Sequence, residues 1–430
     1  MSRAQSEAMK AQRSEQDQTV AGDASGRLGA AADTDCIVVG GGPAGLVCGL
    51  VLARLGVRVT VVEKHDDFLR DFRGDTIHPS TQDLLAELGL LDEFLTLPHA
   101  DMPRVRLRWN DEEFVLADFS RLPTRRRAIS FMPQWEFLDL IARAGEREPT
   151  FTLLRSTEAI DVLRAGEQIV GVRTRSSAGE ETLRARLVIA ADGRDSTVRD
   201  AAGLHPRRLA TAMDVLWFRV PKADAESLPF GQAGAGLLIA IDRGEYFQVA
   251  NAITAGTWVP SKEAVEALRG RVGRTSPQLR ERMERVGLED VRLLRVRLER
   301  LRAWYAPGML CIGDAAHAMS PAGGVGINLA IQDAVAAARI LGPGLRTGAP
   351  TVAQLRRVQR RRAWPAAVIQ WIQLRIQPVL LADRPDSRPP LPLRLVARFP
   401  AFAHVPGRII GMGIRPEHVD AEARRRVRRQ

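Results

Sequence analysis

The sequence predicts an α/β protein with α+β character: a parallel-sheet nucleotide domain carrying an inserted β-sheet domain and ending in a C-terminal helical segment. Three observations predict it. From Cys36 to Glu63, CIVVGGGPAGLVCGLVLARLGVRVTVVE, an apolar run meets a glycine turn, an apolar helical stretch follows, and a second β-branched run stops at an acid. Two later apolar runs, LVIAADG at 187–193 and MLCIGDAAH at 309–317, end at Asp192-Gly193 and Gly313-Asp314. Residues 214–254 between them read as further strands.

The first unit has the strand, glycine turn, helix, strand, acid order of a dinucleotide-binding βαβ motif. Gly40 permits the tight turn, Gly42 lets the backbone approach a pyrophosphate, and Gly45 lets the helix pack closely on the strand. The helix N-terminus, opening at Pro43-Ala44, offers unpaired N–H groups and partial positive charge to phosphates. Glu63 stands where a carboxylate can accept both ribose hydroxyls of an adenosine, with Lys64 beside it. Cys36 to Ala53 carries no charge and approaches the length of a membrane span. Three consecutive glycines followed by Pro43 argue against that reading.

With 430 residues, 45% apolar and 26% charged, the chain can bury a large core and divide into two or three domains. The net charge of +11 is concentrated at one end: residues 346–430 hold 18 Arg and 5 acids, +13, so the first 345 net about −2. Only four lysines occur (Lys10, Lys64, Lys222, Lys262), and no aromatic RNA-binding motif or zinc-finger spacing is present, which argues against nucleic-acid binding. Cys36, Cys48 and Cys311 lie in apolar contexts and read as small buried hydrophobes in a reducing, cytoplasmic compartment, not as a disulfide or metal set. Residues 1–32 are polar and are expected to be a disordered tail with no secretory apolar core.

After Glu63, a polar loop containing Arg73-Gly74 and His78 leads to a helix expected over Thr81–Phe94, from the spacing of Leu84, Leu85, Leu88 and Leu91. Val105–Trp109 and Glu113–Leu116 alternate around Asn110-Asp111, a hairpin signal. Residues Met132–Ala144 read as a helix with Gln134 near its start. FTLLR, AIDVLRAG and QIVGVRTR, between Phe151 and Val188, read as an inserted β-meander, and Arg199 is expected on the helix after Asp192. Val215–Val220, Gly236–Ile241 and Glu245–Ile253, with a turn at Arg243-Gly244, read as the floor of a substrate domain. Trp217, Phe218, Phe230, Tyr246 and Phe247 are candidate walls for a planar apolar ligand. Leu279–Val286 reads as a basic amphipathic helix, and Arg292–Leu298 returns toward the nucleotide domain.

Asp314, at a strand end, is a plausible contact for sugar-like hydroxyls or a pyrophosphate. Pro321 to Gly326 contains three glycines, leaving a bare wall for a flat ring, and Gly326, Ile327 and Asn328 open a helix whose N–H groups can stabilise negative charge. That suits a flavin, whose reduced form is anionic.

GGGPAG with Glu63, Asp192-Gly193 and GDAAH at 313–317 resemble, in order and approximate spacing, the three fingerprints of the class A FAD-dependent monooxygenases, the p-hydroxybenzoate-hydroxylase-like flavoproteins. The resemblance covers about residues 33–345. It implies a Rossmann-like FAD-binding domain (mainly 33–104, 132–205 and 300–345) with an inserted substrate domain (mainly 105–131 and 206–299). It also implies that Gly40, Gly42, Pro43, Ala44, Gly45, Glu63 and Lys64 hold the ADP half, and that Arg73 and Gln134 lie near the pyrophosphate and ribityl chain. Asp192 and Gly193 would touch FAD and the pyridine nucleotide, Gly313 and Asp314 the ribityl, and Gly324, Gly326, Ile327 and Asn328 the ring. Pro321 would stand at the flavin C4a edge, with Arg73 counted beside it as catalytic. The implied reaction is reduction of FAD by NADH or NADPH, then hydroxylation or epoxidation of an aromatic or polyketide-like small molecule by O2 through a flavin C4a-hydroperoxide. His317 falls within the fingerprint and is assigned a structural part. His78 is either a flavin-edge or nicotinamide contact or an exposed loop histidine. The separate glycine motif that would decide NADH against NADPH is not found.

Residues 346–430 form the third, Arg-rich region. It is expected to be helical to Leu381, with Trp364, Trp371, Ile372, Ile376, Val379 and Leu380 on an apolar surface, and a proline-rich linker at Arg384–Pro392. It reads either as a helical cap across the two domains or as a peripheral contact with an anionic membrane or a partner enzyme. The competing activity is a flavin reductase or dehydrogenase of the geranylgeranyl-reductase type, and a third reading is a non-catalytic flavin-bound partner.

Overall fold

The runs at Thr34–Val39 (β1) and Val59–Val62 (β2) pair in parallel, and the helix between them, α1 (Pro43–Arg54), is buried from Ala44 to Arg54. A sheet covered on both faces needs near-continuous apolar strands, which is why these runs do not alternate. The computed structural model in which this is seen describes residues 34–69, 76–110, 112–209, 211–234, 236–381, 389 and 391–427. The sheet runs β19-β20-β11-β1-β2-β8, adding Phe151–Leu154 (β8), Gly179–Ala190 (β11), Tyr305–Ala306 (β19) and Met309–Cys311 (β20). Glu158–Ala165 (β9) and Gln168–Ser176 (β10) extend antiparallel from the first half of β11. FTLLR is therefore not part of the meander. It is the parallel edge strand beside β2, in register Val59↔Phe151.

The second sheet has seven strands in the order β17-β13-β16-β15-β14-β5-β6. They are Arg104–Trp109 (β5), Glu112–Asp118 (β6), Met213–Pro221 (β13), Gly231–Gly234 (β14), Gly236–Asp242 (β15), Tyr246–Thr254 (β16) and Arg292–Leu294 (β17). The hairpin at Asn110 is present, with φ 53° at that asparagine. Short ladders complete the frame: Thr76–Ile77 (β3), Ile129–Phe131 (β7) and Ala100–Met102 (β4) form one, and Arg207–Leu209 (β12) pairs with Leu298–Arg300 (β18).

The helices depart from expectation in three places. The single helix over Thr81–Phe94 is two, α2 (Pro79–Glu87) and α3 (Leu91–Thr96), because Gly89 takes φ 66° and turns the chain between them. Leu279–Val286 is only a 3-10 turn and the short α7 (Arg280–Met283). The second sheet is instead covered by α6 (Lys262–Thr275), capped by Ser261 accepting from Ala264 N–H, whose Val265, Leu268 and Val272 are buried. Three apolar anchors in a charged stretch gave that helix little signal. The remaining helices are α4 (Gln134–Glu146), α5 (Thr197–Ala201, carrying Arg199) and α8 (Gly326–Leu345), then α9 (Val352–Leu380), α10 (Leu391–Arg398), α11 (His404–Met412) and α12 (Ala421–Val427). The apolar stretch Ala322–Leu345 is long enough to cross a membrane, but 72% of its most apolar window is buried inside the protein.

Beyond Leu345 the chain packs back on both sheets. Gly407 of α11 lies so close to β6 that a Cβ there would stand 2.2 Å from Asp118 O. Ala423 of α12 is buried near α1. On α9 the apolar surface bearing Trp364 and Trp371 is not the face that packs: these two are 47% and 55% exposed, whereas Val358, Ala366, Ile369, Gln370, Gln373 and Gln377 are buried. Most of the linker at Arg384–Pro392 lies outside the described residues, as does the tail 1–32.

Candidate functional site

β20, β11, β1 and β2 are neighbours in one parallel sheet, so the segments that follow them emerge side by side. In open α/β sheets the crevice beyond these carboxyl ends is the ligand position. Gly40 follows β1 and Glu63 follows β2, while Asp192 and Gly313 lie two residues past β11 and β20. Contacts confirm the convergence: a Cβ on Gly40 would stand 2.5 Å from Ala191 O, and one on Gly313 would stand 3.1 Å from Ala330 and 3.3 Å from Ala44. Three sequence-distant motifs thus meet where α1 and α8 begin.

Two kinds of glycine line this crevice. Gly40, Gly45, Gly313 and Gly324 are required by the polypeptide: a Cβ on Gly45 would fall 1.8 Å from Gly40 O, and one on Gly324 2.5 Å from Thr76 Oγ1. Gly42 and Gly326 have nothing within 4 Å of an added Cβ. These are the N-cap of α1 and the first residue of α8, where unpaired N–H groups and the helix dipole are strongest. Bare backbone that the chain does not itself need, at two helix N-termini, fits a phosphate and a ring bearing negative charge.

Glu63 is 3% exposed; its Oε2 accepts from Gly41 N–H at 2.7 Å and its Oε1 from His65 N–H at 3.1 Å. Backbone donors thereby hold the carboxylate in place, and a carboxylate has acceptor capacity for further donors. Lys64 is exposed, Pro43 and Ala44 form the first turn of α1, and Gln134 is the half-buried first residue of α4. Arg73 lies outside the described residues.

Asp192 is turned toward its own loop: the Ser196 hydroxyl donates to one oxygen and Val198 N–H to the other, at the start of α5. Burial raises its pKa against those hydrogen bonds. Gly193, with φ 89°, carries the chain out of this turn. Asp314 differs: within Gly313–His317 its side chain is the exposed one, at 38%, with Arg194 3.9 Å away. Pro321 is exposed at the start of the glycine loop, and Ile327 is half-buried. Asn328 spends its side chain as a staple, Oδ1 accepting from His78 N–H (3.0 Å) and Thr81 Oγ1 (2.6 Å) while Nδ2 donates to the Thr76 and Gly324 carbonyls. Only its backbone N–H remains for the helix terminus.

His78 is neither a solvent-exposed loop residue nor on the crevice surface. It is fully buried at the N-cap of α2, its Nδ1 2.7 Å from Ile410 O of α11, and burial pushes its pKa down to about 4. The neutral ring donates from Nδ1 to that carbonyl. Because the unfolded chain takes up the proton first, stability conferred by neutral His78 is full above about pH 6.5 and is lost as pH falls toward 4, by at most about 3 kcal/mol. His78→Gln is expected to flatten this part of the profile; urea midpoints at pH 7 and pH 5 should converge in the variant relative to the parent, and an unchanged difference would refute the assignment.

His317 is structural, as expected, and belongs to a buried ionic cluster. Its Nε2 contacts Asp333 Oδ2 at 2.5 Å, and Asp333 also receives Gly313 N–H at 3.2 Å and Arg362 Nε at 2.9 Å. Trp304 packs against the imidazole, the rings tilted by 39° with centroids 4.9 Å apart.

Sequence reasoning missed the glutamines of α9. Gln373 Nε2 donates to Ser320 O and Ala322 O at 2.9 Å and its Oε1 accepts from Ser320 N–H, so it clamps the segment bearing Pro321. Gln370 Nε2 bridges Glu299 O and Ala318 O, and Gln377 Oε1 accepts from Ala212 N–H. The available signal was glutamine at i, i+3 and i+7 on one helix face, which places three amides in line.

On the second sheet the five candidate walls separate by strand alternation. Phe218 and Phe247 pack into the core under α6, whereas Trp217 and Phe230 face the other side with Phe131, the Phe131 and Phe230 rings being 5.5 Å apart. Tyr246 is half-buried beside Arg219.

The FAD binding domain family matches residues 33–372, a span reaching into α9. The chain is 33% identical over 395 residues to 6-methylpretetramide 4-monooxygenase of Streptomyces rimosus, covering 88% of this chain and 92% of that one. It is 30% identical over 323 residues to rifampicin monooxygenase of Streptomyces venezuelae, covering 70% of this chain and 62% of that one. Among solved structures, OxyS anhydrotetracycline hydroxylase from Streptomyces rimosus aligns with a TM-score of 0.71 at 23% identity, over 88% of this chain and 76% of that chain.

Proposed function

Since the chain belongs to the FAD binding domain family and is an FAD-dependent monooxygenase with NAD(P)H as reductant, we propose that its substrate is an aromatic polyketide and that the crevice beyond β1, β11 and β20 holds the flavin. The observation that carries the site is the pair of glycines, Gly42 and Gly326, left open at two helix N-termini. The substrate class is supported by the relative named for 6-methylpretetramide, which matches nearly end to end.

Bound FAD supplies the redox chemistry: it accepts hydride from NAD(P)H and, with O2, gives one oxygen atom to the substrate while the other leaves as water. The chain's own groups bind and orient. Gly42 and Ala44 N–H groups at α1 receive the pyrophosphate, Glu63 accepts the adenosine ribose hydroxyls, and Asp314 accepts from the ribityl chain. The N–H groups of Gly326, Ile327 and Asn328 stabilise negative charge on the reduced ring. Gln373 holds Ser320 to Ala322, and with them Pro321, in the place where the ring's edge would lie. Trp217, Phe230 and Phe131 form the apolar wall against which a planar substrate lies, excluding water from the reacting face.

The reductase alternative is not favoured, the relatives being named as monooxygenases. The packing of the described residues beyond Leu345 onto both sheets supports a cap in place of a membrane or partner-enzyme contact, and three buried free cysteines support a reducing, cytoplasmic location. The test is turnover of an aromatic polyketide under isotopically labelled dioxygen with NADPH and, separately, NADH. We expect nicotinamide oxidation to accelerate on adding substrate and the product to carry a single labelled oxygen. A reduced or dehydrogenated product without label would overturn the reading.

A further inference from the structure

We propose that the groove between the β12–β18 ribbon and α9 is a second ligand site, separate from the flavin crevice, which takes a small amphipathic anion with a planar apolar body. Arg207 and Arg300 are direct cross-strand partners in this ribbon, and Arg302 lines the same groove. Like charges directly opposed across a ladder destabilise it unless something lies between them. Among the described residues, none of these three guanidiniums reaches a carboxylate, and no carboxylate lines the groove. The neighbouring arginines behave differently. Arg208 pairs with Glu299 at 3.2 Å, Arg297 with Asp195 at 2.7 Å and Arg199 with Asp200 at 2.8 Å. Charge is neutralised at these three neighbours and left open within the groove.

The opposite wall explains the apolar half of the ligand. Ala363 and Ala367 are one turn apart on α9 and leave a slot, beside which the half-exposed Trp364 presents its ring; Leu209 and Leu301 close the floor. A flat hydrocarbon against the indole, with its anionic group among three guanidiniums, satisfies both walls. The groove is open to solvent on one side and offers a volume of about 450 Å³, enough for a small molecule. The ribbon is also one hydrogen-bonded layer from the flavin loop, since Glu299 N–H donates to Ala318 O and Leu301 N–H to Ala316 O. An occupant would therefore brace the segment that Gln370 and Gln373, farther along α9, also hold.

The probe is 1-naphthyl phosphate, titrated by calorimetry into the full-length, FAD-loaded protein, with 1-naphthol and inorganic phosphate as the two halves of the ligand. We expect one-to-one binding tighter than either half. Arg207→Gln/Arg300→Gln and Trp364→Ala should each weaken it by roughly tenfold or more, and Arg106→Gln on the distant β5 should leave it unchanged. Because the three groove side chains are exposed or half-exposed, the variants are expected to fold and keep their flavin absorbance. Absence of binding, or binding that the groove variants do not alter, would overturn the proposal; the latter would place the probe in the substrate pocket. Flotation with phosphatidylglycerol vesicles that these variants abolish, without heat from naphthyl phosphate, would assign the groove to a lipid headgroup and overturn it equally.

Discussion

Gly42→Val is expected to give a protein that folds normally and does not retain FAD. The residue has φ −78° and ψ −176°, an extended conformation that valine adopts readily, and its Cβ would meet nothing within 4 Å. The melting temperature of the flavin-free variant should therefore stay within about 3 °C of the parent, since the added Cβ, valine's branch point, meets no packed atom. The flavin has no such tolerance. A branched side chain at the N-cap of α1 occupies the space through which a pyrophosphate reaches the helix N–H groups. Losing two charge-assisted hydrogen bonds costs about 3–6 kcal/mol, a weakening of 100-fold or more. The flavin-to-protein ratio after gel filtration and the Kd from flavin fluorescence measure this directly. Gly45→Ala supplies the contrast, because its Cβ would lie 1.8 Å from Gly40 O and must disturb the βαβ unit itself, so flavin and melting temperature should fall together. A Gly42→Val protein holding stoichiometric FAD would remove the observation on which the assigned crevice rests.

That contrast also marks what could be read from residues alone. Gly40 and Gly45 announce the turn because a positive φ at the first and a close backbone approach at the second are local demands, Gly42 completes the motif by its spacing, and the strand runs announce a covered parallel sheet through absence of alternation. What the residues did not disclose depends on partners distant in sequence. FTLLR has the same composition whether it joins a meander or the parallel edge, and only pairing with β2 decides. Asp192 ends its strand as Asp314 does, yet Ser196, four residues on, draws its carboxylate into the cap of α5, while Gly313–His317 offers Asp314 no such hydroxyl. On α9 the tryptophans drew attention to an apolar surface, but the buried face is set by the carbonyls of Glu299, Ala318, Ser320 and Ala322, which need donors that glutamines supply and tryptophans do not.

The basic C-terminal region illustrates the same point for charge. Its +13 suggested an outward-facing patch, yet Arg361 and Arg362 converge with Arg339 on the buried Glu417, and Arg424 reaches back to Glu87 of α2. Part of the positive charge thus fastens the segment to the nucleotide domain, a use that a count of residues cannot separate from solvation.

Arg362→Leu should be among the most destabilising single substitutions in the chain. The guanidinium is fully buried and joins two buried carboxylates, Asp333 at 2.9 Å and Glu417 at 3.4 Å, while also donating to Arg415 O and Gln332 Oε1. Removing one partner of a buried ionic cluster leaves the other charges uncompensated, at about 3–5 kcal/mol, or about 3–6 °C in melting temperature for a chain of this length. The acid limb of the stability profile should move as well. Burial pushes the Asp333 carboxyl up, but His317 and Arg362 outweigh it and hold its pKa below the usual carboxylate value. A depressed folded-state pKa means that the contribution is present above the unfolded pKa and is lost only as pH falls through the folded value. Without Arg362 the folded-state pKa rises, so acid unfolding followed by circular dichroism should begin at higher pH. Asp333→Asn combined with Arg362→Leu should cost less than the two single changes added together, because removing the charge that Arg362 balanced relieves part of the penalty. Since Asp333 also holds Gly313 N–H, beside Asp314, flavin affinity should weaken along with stability in Arg362→Leu. A variant with parental melting temperature and parental acid midpoint would show that the cluster carries little of the fold's stability, and that the GDAAH loop is positioned by its backbone contacts alone.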